Sequence, residues 1–290
     1  MVKIISDSTC DLSPELVNRY DIDILPLHIL LGEKEYKDGK NITPDEIFAW
    51  SDAHKTTPKT SAPSLVDAIE ILKPYVEEKR EVICFSISSS MSTSGNVMRL
   101  AADELEASDF VTVIDSANLS TGIGLQVVEA AVMAQAGKSA AEIKKILTDQ
   151  KLDSSIYITL DTLKYLKKGG RITPAAAAIG TVLNLKPVLQ IQGEKLDAYA
   201  KVRGKKQAKR AMLKAMKNDW ETRFKEYVSD GEMCLQAAYT GNLEEAEEFK
   251  REIQEVFPGM EIHMDPLSLS VACHIGYGAL AVACSRKVTL

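Results

Sequence analysis

Glu81-Val82-Ile83-Cys84-Phe85-Ser86-Ile87-Ser88-Ser89-Ser90-Met91-Ser92-Thr93-Ser94-Gly95 is an apolar run that ends in a dense cluster of hydroxyls. From Val82 to Ile87 there is little polar–apolar alternation, the pattern of a strand buried on both faces in a parallel sheet. Val2 to Ser6 and Val111 to Asp115 have the same character, and these strands too end in Asp or Ser. Helical stretches lie between them with readable starts. Ser13-Pro14 puts a capping hydroxyl before a proline at the first helical position, and Thr43-Pro44-Asp45-Glu46 and Ser139-Ala140-Ala141-Glu142 are capping boxes. Ser64, ahead of Leu65 to Leu72, also reads as a helix cap. Strand then helix, repeated, predicts a right-handed parallel α/β sheet that binds ligands at the carboxyl ends of its strands. Asp7 to Asp11, Ser86 to Gly95 and Asp115 to Asn118 all fall at such ends, so these turns are expected to converge.

A chain of 290 residues suits two domains, at roughly 100 to 200 residues each. Its character changes near Lys151. The expected division is an N-terminal α/β domain, residues 1–152, with a mainly parallel sheet flanked by helices, and a second, mixed α/β domain, residues 153–290. In the second part, strand patterns at Ser155–Leu160, Val188–Ile191, Met233–Tyr239 and Glu261–Met264 alternate with helical ones. The helical patterns lie at Asp161–Lys168, Pro174–Leu185, Lys205–Lys217 and Glu244–Val256.

The balance of 35 Lys plus Arg against 41 Asp plus Glu, net −6, argues against a chain built to coat nucleic acid or an anionic membrane. Five widely spaced cysteines without a Cys-x-x-Cys pair argue against a disulfide framework and a zinc site, and predict reduced, buried thiols. No apolar run approaches the roughly 20 residues of a membrane span. The first strand meets a polar turn at Asp7, too early for the apolar core of a signal peptide. The expectation is a cytoplasmic, soluble protein.

A nucleophilic serine needs a base, a group to orient that base, and a strained turn that exposes the hydroxyl. The serine cluster contains no Gly-x-Ser-x-Gly elbow. Of four histidines, His28 and His263 lie in strand-like runs as structural residues, and His54 sits in a polar loop. His274 stands in Ala272-Cys273-His274-Ile275-Gly276-Tyr277-Gly278, a run of small residues read as a turn, where a functional and a structural role are both open. Thr121-Gly122-Ile123-Gly124, Gly169-Gly170-Arg171 and Gly276-Tyr277-Gly278 match neither a P-loop nor a dinucleotide fingerprint. No metal-ligand spacing is present, so neither a metal nor a cofactor is expected. What remains is a set of neutral hydroxyls with one imidazole, suited to receive a carboxylate through directed hydrogen bonds.

Asp7-Ser8-Thr9-Cys10-Asp11-Leu12, Tyr36-Lys37-Asp38-Gly39, Thr60-Ser61-Ala62-Pro63-Ser64, Ile87-Ser88-Ser89 with Met91-Ser92, Val113 to Ser116, Leu163 to Ile172 and Leu185-Lys186-Pro187 occur in this order. Together they resemble the DegV family of bacterial fatty-acid-binding proteins, over nearly the whole chain. The resemblance implies a two-domain α/β protein that encloses a long-chain fatty acid such as palmitate, held at and near the domain junction, for lipid transport. It places the carboxylate contacts on Thr60, Ser92 and His274, with Ser61 and Ser94 in support, and gives the chain no catalytic residue. It also implies presentation of the bound acid to a fatty acid kinase. Arg171, Lys205 and Lys206 are the candidates for docking that partner, although the basic stretch Lys201–Lys225 reads more readily as a solvated helix face. Two departures from the family pattern stand beside the contact residues. The usual Ser-Gly-Thr is Ser92-Thr93-Ser94 here, and the usual His-x-Gly-Pro-Gly is His274-Ile275-Gly276-Tyr277-Gly278. Burial of about 14 methylenes at ~0.8 kcal/mol each would supply roughly 11 kcal/mol of gross driving force before association costs. The competing expectation is an enzyme: a serine hydrolase using Ser92 and His274, or a phosphotransferase using the turn at Gly169-Gly170.

Overall fold

The computed structural model describes residues 1–178, 185–191 and 196–288. Its strands in chain order are β1 (Lys3–Asp7), β2 (Ile22–Leu25), β3 (His28–Leu31), β4 (Lys34–Lys37), β5 (Lys59–Ser61), β6 (Val82–Ser86), β7 (Val111–Asp115), β8 (Ser154–Thr159), β9 (Leu185–Ile191), β10 (Asp197–Arg203), β11 (Met233–Tyr239), β12 (Ile262–Pro266) and β13 (Leu280–Arg286). They form three sheets. β2-β1-β6-β7 is parallel throughout, as the apolar runs predict. β10-β9-β8-β13-β11-β12 is antiparallel except for its β11–β12 edge, and β4-β3-β5 is a small antiparallel sheet.

β1 lies in the middle of its sheet. The chain leaves it first for β2 on one side and later for β6 on the other. The carboxyl ends of β1 and β6 therefore flank a topological switch point, where a crevice opens between diverging connections. Asp7 ties the two ends together: its carboxylate accepts from Ile87 N at 2.9 Å and from Thr9 N at 3.1 Å. Ser88 N donates to Asn118 O at 2.9 Å and Ser116 Oγ to Ser86 O at 2.7 Å, so the three predicted turns do converge.

The helix Thr121–Gln135 packs on β1 and β6 on one side and on β11 and β13 on the other. Its first turn is the glycine-bearing stretch Thr121 to Gly124, read from sequence as a turn. A side chain at Gly124 would collide with Cys10 O, so the glycine that weakens local helix propensity is what lets helix and loop approach. The expected caps at Ser13, Thr43, Ser64 and Ser139 are all formed. All five cysteines are buried without disulfides. The strand-like run at His28 is β3, whereas β2, β4, β5, β10 and β13 were not legible from periodicity, and His54, expected in a loop, is the last residue of the helix Pro44–His54. Of the predicted helix Pro174–Leu185, Pro174–Ala177 is helical, Leu185 opens β9, and residues 179–184 lie outside the described residues. Among the described residues no helix is long and apolar enough to cross a membrane.

Candidate functional site

A cavity of about 460 Å³ opens at the switch point, within the roughly 300–1,000 Å³ of small-molecule sites. Its polar groups are gathered from distant parts of the chain, Thr9 of the turn after β1 and Ser270 among them. Thr60 and Ser61 come from β5, and Ser89, Ser90, Ser92 and Thr93 from the turn after β6. Arg171 and His274 come from beyond residue 153. Leu27, Ile87, Leu119, Leu166, Leu196, Val271 and Ile275 add apolar lining. Four of these, Leu119, Leu196, Val271 and Ile275, also bound a second, small apolar void. That void is lined further by Ile156, Ile158, Ile191, Ala238, Ala281 and Ala283.

Thr60 is held in place by the small sheet. Three residues of mostly polar character carry no strand signal, and β5 forms because Ile29 of β3 pairs with Thr60. His274 lies in the last turn of the helix Leu269–Ile275, not in a free turn, and its Nε2 stands 2.7 Å from Thr60 Oγ1. Its other ring nitrogen presses on Gly169, where any side chain would collide with it. Burial, with Arg171 nearby, pushes the imidazole down to about 4, so it is neutral at pH 7. Ser92 Oγ accepts from Ser94 N at 3.2 Å, which leaves the hydroxyl proton to donate elsewhere. Arg171 donates from Nε to Met91 O at 3.2 Å and from a terminal nitrogen to Gly169 O. Among the described residues no carboxylate forms an ion pair with it, so a lone cation sits in the wall of the cavity.

Thr60, Ser61, Ser92, His274 and Arg171 are thus brought to one cavity. Ser94 is not on its wall; that residue is fully buried beside Asp7. Lys205 and Lys206 are elsewhere. Lys205 pairs with Glu245 at 2.7 Å, and Lys206 is exposed on a stripe with Arg210 and Lys214. Thr93 borders the cavity, whereas Tyr277 packs edge-on against Phe48 away from it. Val271 and Ile275 escaped the sequence reading, because their spacing around His274 marks a common face only once that stretch is known to be helical. Among the described residues no cluster of three or more His, Cys, Asp or Glu could hold a metal.

The class this defines is a mixed α/β protein with a ligand-sized cavity lined by hydroxyl-bearing and apolar side chains. Residues 1–287 match the family described as uncharacterised proteins of the DegV family, and the chain belongs to that family. A DegV domain-containing protein of Deinococcus radiodurans is 32% identical over 285 residues, covering 97% of each chain. Two solved structures are similar over nearly their full length. A stearic-acid-binding protein from Eubacterium ventriosum has a TM-score of 0.89 at 28% identity, covering 99% of each chain. A fatty-acid-binding DegV family protein from Thermus thermophilus has a TM-score of 0.86 at 29% identity, covering 98% of this chain and 99% of its own.

Proposed function

We propose that the chain is a carrier that binds one long-chain fatty acid, with the carboxylate at Thr60, Ser92 and His274 and the tail along the apolar lining. The observation that carries this is one cavity lined by hydroxyls, an imidazole and a guanidinium together with hydrocarbon side chains, continuous through four of them with a small apolar void. The similar structures from Eubacterium ventriosum and Thermus thermophilus, which bind fatty acids, support it. In this reading residues 1–152 contribute Thr60 and Ser92, and residues 153–290 contribute Arg171 and His274, closing on the ligand between them. A buried carboxylate without partners is costly. Arg171 offsets that cost with charge, and the hydroxyls and imidazole do so with directed hydrogen bonds. Solvent extraction of the purified protein followed by mass spectrometry should release a fatty acid. A chain that is empty and also ignores added palmitate would rule the reading out. Thr60→Ala with Ser92→Ala is expected to weaken palmitate binding by about 1–3 kcal/mol while the fold persists, measured by titration.

The hydrolase reading has less support. His274 Nε2 meets Thr60, no carboxylate contacts its other nitrogen among the described residues, and an imidazole pushed down to about 4 is a weak base. Presentation of the bound carboxylate to a fatty acid kinase completes the proposal. Arg171 at the cavity and the exposed stripe Lys206, Arg210 and Lys214 are the cationic groups this reading assigns to docking. Lys205 and Lys209 are engaged by Glu245 and Glu252. Lys206→Glu should weaken the kinase complex and leave palmitate affinity unchanged. Equal binding of the kinase by both proteins would remove the stripe from the interface.

A further inference from the structure

We propose that Asp38 is a positioning residue for His274: the small sheet that carries Thr60 also grips, through Asp38, the far end of the helix that delivers the imidazole. The proposal rests on the carrier reading for its ligand and on hydrogen-bond geometry for everything else.

Asp38 directly follows β4 and is buried, with 4% of its surface exposed. Its Oδ1 accepts from Leu269 N at 3.0 Å. Its Oδ2 accepts from Ser270 N at 3.2 Å, Ser270 Oγ at 2.5 Å and Ser8 Oγ at 2.8 Å. Asp11 Oδ1 takes the preceding amide, Ser268 N, at 2.8 Å. Three successive amides at the start of the helix are therefore held by carboxylates from the opposite end of the chain. The helix has little hold of its own. It has seven residues, and Ser268 at its N-cap makes no side-chain capping bond. A segment this short is unstable without tertiary contacts.

Both ends of the helix are referenced to one rigid body. β4 pairs with β3, β3 pairs with β5, and β5 presents Thr60 to His274. Between the ends, Cys273 packs into a cluster with Ile29 and Leu31 of the same sheet, Ile42 of the connection after it and Ile47 of the helix Pro44–His54. Ser270 and His274 are one helical turn apart, about 6 Å along the axis. A slip of one residue would displace the imidazole by about 1.5 Å and turn it by about 100°, breaking the 2.7 Å contact with Thr60. The amide bonds to Asp38 block that slip. This gives Tyr36-Lys37-Asp38-Gly39 a role although none of its four residues lines the cavity.

The test compares palmitate with hexadecanol, which share a tail and differ in the head group, across wild type, Asp38→Asn and Ser270→Ala. Phe249→Leu serves as a control that weakens a core remote from the cavity. The His274 imidazole NMR signals are followed in parallel. Asp38→Asn should lower palmitate affinity about tenfold and leave hexadecanol within about twofold, with displaced His274 signals. Ser270→Ala should act in the same direction less strongly, and Phe249→Leu should lower the melting temperature without changing the acid-to-alcohol ratio. The proposal is overturned if Asp38→Asn and Ser270→Ala keep the wild-type ratio and His274 signals, or if Phe249→Leu changes the ratio as much. Should Asp38→Asn fail to fold, the His274 signals of Ser270→Ala decide, because Ser270 itself lines the cavity and its hydroxyl can meet the head group directly. A wild-type chain that ignores palmitate would overturn the carrier reading alone, because the His274 signals of the variants still decide the positioning.

Discussion

The two faces of the six-stranded sheet are built from the same strands and serve opposite ends. Along β13, Leu280, Val282 and Cys284 point into a solid core with Met212, Met216, Phe249 and Phe257, while Ala281 and Ala283 point toward the cavity side. β11 divides likewise, Leu235 to the solid core and Ala238 to the cavity side. The period of two in a strand lets one sequence fill one face and leave space on the other. Space near the cavity is thus made by alanine at alternate positions.

The largest effect should come from disturbing the solid face. Leu235→Ala is expected to cost about 2–5 kcal/mol of stability, read by denaturant unfolding, with ligand affinity per folded molecule kept. If affinity fell as steeply as stability, the two faces would not be independent. Ala281→Leu on the other face should do the reverse. It intrudes on the small apolar void, and should cost long acyl chains about 1–3 kcal/mol while shorter chains bind as before. A titration series over chain length that runs parallel to wild type would exclude this void from the tail's path.

The smallest expected effect concerns pH, and again distinguishes the cavity side. His274, pushed down to about 4 from an ordinary value near 6.5, contributes stability that is complete above about pH 6.5 and lost as pH falls through about 4. Asp11, pushed up to about 7 by burial, acts with the opposite sign. Its contribution is complete below about pH 4 and lost as pH rises through about 7. His274→Gln should therefore flatten the acid limb of a melting-temperature profile between about pH 4 and 6.5, and Asp11→Asn the limb approaching neutrality. A profile with both limbs unchanged would mean that neither group is coupled to folding.

Much of the fold was open to sequence reasoning because its signals are local. β1, β6 and β7 are apolar runs that leave no other assignment, and capping at Ser13, Thr43, Ser64 and Ser139 depends only on neighbours three residues away. The helix Thr121–Gln135 and strand β5 were not legible for a common reason. Glycine-rich and short polar segments take their conformation from what they pack against, Cys10 in one case and Ile29 in the other. The family resemblance brought Thr60, Ser92 and His274 forward together, yet the reading of His274 as a turn residue concealed Val271 and Ile275 beside it and the Asp38 grip behind it.

The sequence by itself determined the parallel sheet, the hydroxyl-bearing turns at its strand ends, and the low charge that leaves an apolar interior possible. Only the tertiary structure decided which hydroxyls face the cavity, that Arg171 lines it, and that Ser94 turns away toward Asp7. The physical reason is range. Hydrophobic periodicity and caps act within a few residues, whereas the contact between Thr60 and His274 spans 214 positions and exists only after three sheets have packed.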